Sequence, residues 1–136
     1  MEKLSCVLLV DDDSTNNFLN ELLLKQMNVT EQILVAESGN QALDIIGHIA
    51  GPDEPTLILL DVNMPGLDGI GFLEAYQRLP RAQRSATSII MLTTMDARYL
   101  TGLGAFNIAD VVSKPLTKEK VNRILQLHFQ RQLPNA

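Results

Sequence analysis

The sequence has no tryptophan, and aromatic residues make up only 4% of its 136 residues. A hydrophobic core must therefore be built from Leu, Ile, Val, Met and Ala. Hydrophobic residues reach 46% of the chain, which is enough for a folded core and too much for a disordered protein. A chain of this length fits one domain. We therefore expect a single domain over 1–136.

The chain also lacks the marks of several functional classes. A lone cysteine, Cys6, excludes an internal disulfide bond and is expected to be a buried small hydrophobic residue. No apolar run approaches the roughly 18–20 residues that span a bilayer, and the N-terminus lacks the basic start and cleavage site of a signal peptide. Positive charge is scarce: the net charge of −5 argues against binding to nucleic acid or anionic membranes. These absences predict a cytoplasmic protein.

Short apolar runs alternate with longer segments of helical period. The runs predict five strands, at 6–10, 33–36, 57–61, 88–92 and 110–113. A helical segment follows each strand, the fourth near 98–106 and the last over 118–130. Ser14 and Ser38 are suitable N-caps for the first two helices. The predicted apolar positions of the first and last helices are Phe18, Leu19, Leu22 and Leu23, and Val121, Ile124, Leu125 and Leu127.

The alternation of strands and helices predicts the architecture. Strands separated by helices pair in parallel through right-handed crossovers. Five such units in this length predict an α/β fold, a doubly wound five-stranded parallel sheet of flavodoxin-like order 2-1-3-4-5. Ligands of such sheets bind outside the carboxyl ends of the strands, where the strand order reverses.

Polar residues gather at that edge. Strand one ends at Asp11, Asp12 and Asp13, and strand three ends at Asp61. Strand four ends at Thr93, and strand five ends at Lys114. Carboxylates about 4 Å apart repel by roughly 4 kcal/mol per pair at an effective dielectric near 20, so either their pKa values rise or a cation enters. Oxygen ligands without His or Cys favour Mg²⁺, Mn²⁺ or Ca²⁺. Few carboxylates with water left on the metal suit Mg²⁺ acting on a phosphoryl group.

The remaining polar groups fit the same chemistry. Lys114 adds a positive charge and Thr93 a hydroxyl donor, which a transferring phosphoryl group needs because its charge spreads over three oxygens. Asp61 is then the natural nucleophile, since carboxylates form aspartyl-phosphates. An acidic triplet alone is usually a solvated helix start, and a strand-end Thr or a Lys-Pro pair is commonplace. Their coincidence at matching strand ends favours the functional interpretation.

Four sequence blocks resemble the receiver domain of two-component response regulators. The blocks are Val-Leu-Leu-Val-Asp11-Asp12-Asp13, Leu-Leu-Asp61-Val-Asn63-Met64-Pro65-Gly66, Met-Leu-Thr93-Thr94 and Ser-Lys114-Pro115-Leu. The resemblance extends over essentially the whole length of the chain. The resemblance implies that Asp61 is the phosphoacceptor and that Thr93 and Lys114 contact the phosphoryl oxygens. It also implies a metal held directly by Asp12, through water by Asp11, and by Asp61 and the backbone carbonyl of Asn63, as well as a cis peptide bond at Lys114–Pro115.

The resemblance also implies partners. A sensor histidine kinase or histidine phosphotransfer protein would donate the phosphoryl group, and the receiver would catalyse only its own phosphorylation and dephosphorylation. With no output domain expected, a downstream protein would bind the face formed by 98–106, the fifth strand and the last helix. Val111 departs from the family, which usually carries Tyr or Phe there, so we expect signalling without an aromatic rotamer switch.

Two other functions remain open on sequence grounds. A Mg²⁺-dependent phosphatase working through an aspartyl-phosphate would need a second acid two residues after the nucleophile, where this chain has Asn63. A binding module on the same fold that works without phosphorylation would not need the full set of Asp12, Asp61, Thr93 and Lys114.

Overall fold

The computed structural model describes residues 4–47, 56–61, 69–79, 87–93 and 110–129. The helix predicted near 98–106 and the metal-binding carbonyl predicted for Asn63 lie outside these ranges. The helices and strands are β1 (Cys6–Val10), α1 (Ser14–Met27), β2 (Ile33–Ala36), α2 (Gly39–Ile46), β3 (Thr56–Asp61), α3 (Gly69–Gln77), β4 (Thr87–Thr93), β5 (Asp110–Ser113) and α4 (Lys118–His128).

The five strands form one parallel sheet in the order β2-β1-β3-β4-β5, which confirms the predicted topology. All residues of β1 and β3 are buried, as expected for central strands covered by helices on both faces. Val10 pairs with Leu60, so the residues that follow them, Asp11 and Asp61, lie side by side at the carboxyl end of the sheet.

Two apolar clusters cover the two faces of the sheet, because successive strand residues point to opposite faces. One contains Leu8, Val10, Ile58 and Leu60 with α2 and α3, where the Phe72 and Tyr76 rings stack with centroids 5.9 Å apart. The other contains Val7, Leu9, Leu57 and Leu59 with Leu24 of α1 and Val121, Ile124 and Leu125 of α4. Burial of Cys6 raises the pKa of its thiol to about 11, consistent with a structural role.

Helix α1 corrects two predictions. Its N-cap is Asp13 rather than Ser14: the Asp13 carboxylate accepts hydrogen bonds from the backbone N–H groups of Thr15 and Asn16. The Asp13 backbone is extended, as an N-cap requires, whereas Ser14 is already helical. Ser38 caps α2 as predicted.

The predicted apolar face of α1 is wrong for three of its four residues, whereas the fourth, Leu23, is half-buried and packs against the core. Phe18, Leu19 and Leu22 are 58%, 56% and 44% exposed, and the buried residues are Asn17 and Leu24. Residues seven apart lie on one side of a helix after about two turns. The side of α1 that faces the sheet carries Asn17, which donates to the Asp11 backbone carbonyl at 2.8 Å, and Leu24, which is part of the core, so the larger apolar residues Phe18, Leu19 and Leu22 lie outside.

Helix α4 was predicted better. Val121, Ile124 and Leu125 are buried as expected, but Leu127 is 57% exposed. The inward side of α4 continues through His128, which lies one turn after Ile124. The Nε2 atom of His128 lies 3.2 Å from Asp110 Oδ2. Within the part of the chain that the structure describes, no helix has the length and apolarity needed to cross a bilayer.

Candidate functional site

The carboxyl ends of the central strands bring three carboxylates together. One oxygen from each of Asp11, Asp12 and Asp61 lies within 4.8 Å of the others. Asp11 and Asp61 are buried, 5% and 7% exposed, whereas Asp12 is exposed. Two buried carboxylates and one reachable by solvent make a set of hard oxygen ligands that could hold a divalent cation.

An ammonium group balances the two buried acids. Lys114 Nζ lies 3.2 Å from Asp61 Oδ1 and 3.4 Å from Asp11 Oδ2, although 103 residues separate Lys114 from Asp11. A buried carboxylate without a partner would be strongly destabilising, so this contact is what makes the buried pair tolerable.

The pKa of Lys114 reflects these neighbours. Partial burial lowers it, but the hydrogen bond to Asp61 and the negative charges of Asp11 and Asp61 outweigh burial and hold the pKa above its ordinary value. The contribution of the Lys114 ammonium to the stability of the folded protein is therefore complete below the ordinary lysine pKa of about 10.4. It is lost only as the pH rises through the higher pKa that Lys114 has in the folded protein. The ammonium stays charged throughout the neutral range.

Local hydrogen bonds fix the orientation of Asp11. Its Oδ1 accepts from the Asp13 backbone N–H at 2.9 Å, and its Oδ2 lies 3.5 Å from Asn16 Nδ2. The buried Asn17 amide donates to its backbone carbonyl. Asn16 and Asn17 were not singled out from the sequence. Two amides about one helical turn after an acidic pair are the signal that could have found them.

Two further predictions concern the Lys114–Pro115 peptide bond and Thr93. The Lys114–Pro115 peptide bond is cis, as predicted. Thr93 ends β4, where its backbone pairs with Ser113, and it follows Leu92, the strand partner of Asp61. Its side chain is outside the described part of the structure. The structure thus brings Asp11, Asp12, Asp61 and Lys114 together and places the Thr93 backbone at the same edge.

A groove of about 480 Å³ opens beside the site. Leu19 and Leu23 of α1 line it together with Pro115 and Leu116. Lys114 is part of the lining, so the groove reaches the acidic cluster. The exposed side chains of Phe18 and Leu22 continue this apolar surface along α1.

The fold and the acidic pocket define a class of protein. The family described as the response regulator receiver domain matches residues 7–126, and the chain belongs to this family. It is a receiver domain of the phosphoacceptor type, and the family acts in two-component signalling. The phosphatase and the phosphorylation-independent module considered above are not favoured.

Individual proteins similar to this chain are also response regulators or contain a matching segment. The chain is 36% identical over 128 residues to a probable chemotaxis protein CheY from Rhizobium etli, covering 90% of this chain and 91% of that protein. It is 30% identical to the signal transduction histidine-protein kinase BarA from Escherichia coli, covering 88% of this chain but only 12% of the kinase. The crystal structure of a two component response regulator from Cytophaga hutchinsonii is similar, with a TM-score of 0.82 and 28% identity. The match covers 96% of this chain and 100% of that chain.

We predict that cation binding depends on Asp12 and not on Asp13. Asp12→Asn should weaken Mg²⁺ binding by about tenfold or more, because it removes a charged ligand from a site with few protein ligands. Asp13→Asn removes the same charge but keeps a side chain that caps α1 well, so it should change the affinity by less than about threefold. Calorimetric titration of each variant measures both. Equal losses would contradict this assignment.

Proposed function

We propose that Asp61 accepts a phosphoryl group from a phosphohistidine in a Mg²⁺-dependent reaction. The observation that carries the proposal is the meeting of Asp11, Asp12 and Asp61 within 4.8 Å, with Lys114 Nζ 3.2 Å from Asp61. The donor set fits the metal, since it consists of carboxylate oxygens with one acid open to solvent. Asp12 and Asp61 would bind Mg²⁺ directly, Asp11 through water, and Asn63 through its backbone carbonyl. Mn²⁺ has the same ligand preferences and could replace it.

The chemistry is a displacement at phosphorus. A carboxylate oxygen of Asp61 forms the new P–O bond while the P–N bond to the donor imidazole breaks, and the imidazole nitrogen keeps the electron pair and takes up a proton. Lys114 binds a phosphoryl oxygen, and the Thr93 hydroxyl donates to another. Bound Mg²⁺ supplies charge neutralisation. Later attack of water on phosphorus releases phosphate and restores Asp61, so the receiver catalyses its own phosphorylation and dephosphorylation.

We predict that Asp61→Asn abolishes phosphate uptake. With Mg²⁺ and a small phosphodonor such as acetyl phosphate, intact-mass measurement should show one added phosphate on the native protein. Asp61→Asn should show none, because an amide does not replace the carboxylate nucleophile. Asp13→Asn should be modified like the native protein. Uptake by Asp61→Asn at the native rate would contradict the assignment.

The donor protein is expected to dock on α1. Phe18, Leu19 and Leu22 form an exposed apolar surface that leads through the groove to Lys114. Large apolar side chains grouped on a surface mark an interaction site more often than single ones do. A histidine kinase or histidine phosphotransfer protein that presents its phosphohistidine on a helix would cover this surface and reach Asp61 from the groove.

We predict that Leu19→Glu separates docking from chemistry. A phosphorylated histidine phosphotransfer protein should transfer to this variant at least about tenfold more slowly, because a charge enters an apolar contact. Acetyl phosphate needs no docking, so its rate should be unchanged. Leu127→Glu is the matched control, since Leu127 is 57% exposed against 56% for Leu19 but lies on α4. Equal slowing by both variants in the protein assay, or slowing with acetyl phosphate, would contradict docking on α1.

The output is expected on a different surface, the face that the family resemblance assigns to 98–106, β5 and α4. Val111 of β5 is half-buried and packs against the cluster that contains Leu8 and Met91. Valine has a stiff χ1 and is too short to follow a moving hydroxyl at Thr93. Coupling to a downstream protein would therefore run through backbone movement of 93–99. A phosphoryl group shifts this equilibrium only by its differential affinity for the two states.

We predict that a phosphoryl mimic changes amide hydrogen exchange over 93–106. The measurement compares the native protein with Mg²⁺ alone and with Mg²⁺ and beryllofluoride, and Asp61→Asn is the control that should not respond. Changes are expected because 93–99 would carry the coupling that an aromatic side chain provides elsewhere in the family. Changes confined to 61–69 would contradict the proposal.

A further inference from the structure

We propose that Lys120 is a positioning residue that holds Lys114 in place for the phosphoryl group. The proposal rests on the proposed function of Lys114. Lys120 Nζ donates to the Ser113 carbonyl at 2.7 Å, to the Pro115 carbonyl at 2.9 Å and to the Ser113 hydroxyl at 3.2 Å. An ammonium group has three N–H donors, and here each has an acceptor.

The two carbonyls flank Lys114. The Ser113 carbonyl belongs to the peptide unit before Lys114, and the Pro115 carbonyl belongs to the unit after Pro115. One ammonium group therefore fixes the backbone on both sides of the residue whose own ammonium meets Asp11 and Asp61. Because the lysine side chain is long and flexible, the place of its nitrogen depends on a fixed backbone. Displacements of about 1 Å in a catalytic group can cost large factors in rate.

Lys120 is itself well anchored. Its backbone N–H donates to Thr117 Oγ1 at 3.2 Å, and the next residue, Val121, is 1% exposed in the core. Leu116, inside the same loop, is also buried. The segment 113–117 is thus held by an apolar contact in its interior and by the first turn of α4. The ammonium of Lys120 closes the side that these contacts leave to solvent.

The hydrogen bonds of Lys120 to Ser113 also bear on the neighbouring strand, β4. Ser113 is the last residue of β5 and pairs with Thr93, the last residue of β4. Lys120 therefore holds the residue that joins the Lys114 segment to the strand end carrying Thr93. Loss of the Lys120 hydrogen bonds should therefore affect binding and transfer of the phosphoryl group more than binding of Mg²⁺ by the carboxylates.

The experiment compares Lys120→Met with Lys118→Met. Lys118 is exposed in the same first turn of α4, so both variants lose one positive charge from the same region. Lys120→Met should take up phosphate from acetyl phosphate about tenfold more slowly and bind beryllofluoride about tenfold more weakly, which is the size expected from losing charge-assisted hydrogen bonds. Its Mg²⁺ affinity should change by less than about twofold, because the metal ligands are carboxylates. Lys118→Met should resemble the native protein, and Lys120→Arg should recover most of the lost rate.

A double variant tests whether Lys120 acts through Lys114. In a Lys114→Met background, Lys120→Met should cause no further loss, because residues that act through one contact are not additive. Native rates in Lys120→Met, or a full second loss in the double variant, would overturn the inference. Equal weakening of Mg²⁺ and beryllofluoride binding would show a general folding effect and overturn it too. Absence of phosphate uptake by the native protein would instead refute the proposed function itself.

Discussion

The meeting of two buried carboxylates with one ammonium is the interaction on which the site depends. Asp61 is the last residue of β3 and Asp11 directly follows β1 at the same level, so the sheet forces their charges together. Charges in such surroundings persist only when they are paired. Lys114 meets this need at 3.2 and 3.4 Å. Any divalent cation that joins Asp12 must therefore enter a cluster whose charge is already partly balanced.

The strand order is what makes this meeting possible. The reversal of order between β1 and β3 opens a crevice there, while Lys114 arrives from the edge strand β5. Its long side chain spans the distance from that edge, but a long side chain is useful only if its backbone is fixed. The Leu116 contact and the three hydrogen bonds of Lys120 provide that fixation from two directions.

The sequence predicted what depends on composition and order along the chain. Continuous apolar runs identified the strands, and the ends of those runs placed Asp11, Asp61 and Lys114 at one edge of the predicted sheet. The inward face of α1 could not be predicted the same way. Apolar spacing pointed to Phe18 and Leu19, but the buried residues are Leu24 and Asn17, and the partner of Asn17, the Asp11 carbonyl, cannot be found from apolar spacing. The roles of His128 and Lys120 were missed because their partners lie in β5 and the loop after it.

The segment 113–117 lies between the two surfaces proposed for signalling. On one side, Lys114, Pro115 and Leu116 line the groove along α1. On the other, Ser113 and Lys120 line a cavity of about 190 Å³ against β5 and α4. The residue that neutralises the acids thus lines the groove proposed for docking, while the residue proposed to fix its backbone lines the cavity beside β5 and α4, on the proposed output face. A change in how Lys114 binds a phosphoryl group would therefore also reach α4 through the carbonyls that Lys120 binds, beside the movement proposed for 93–99 and without an aromatic side chain on β5.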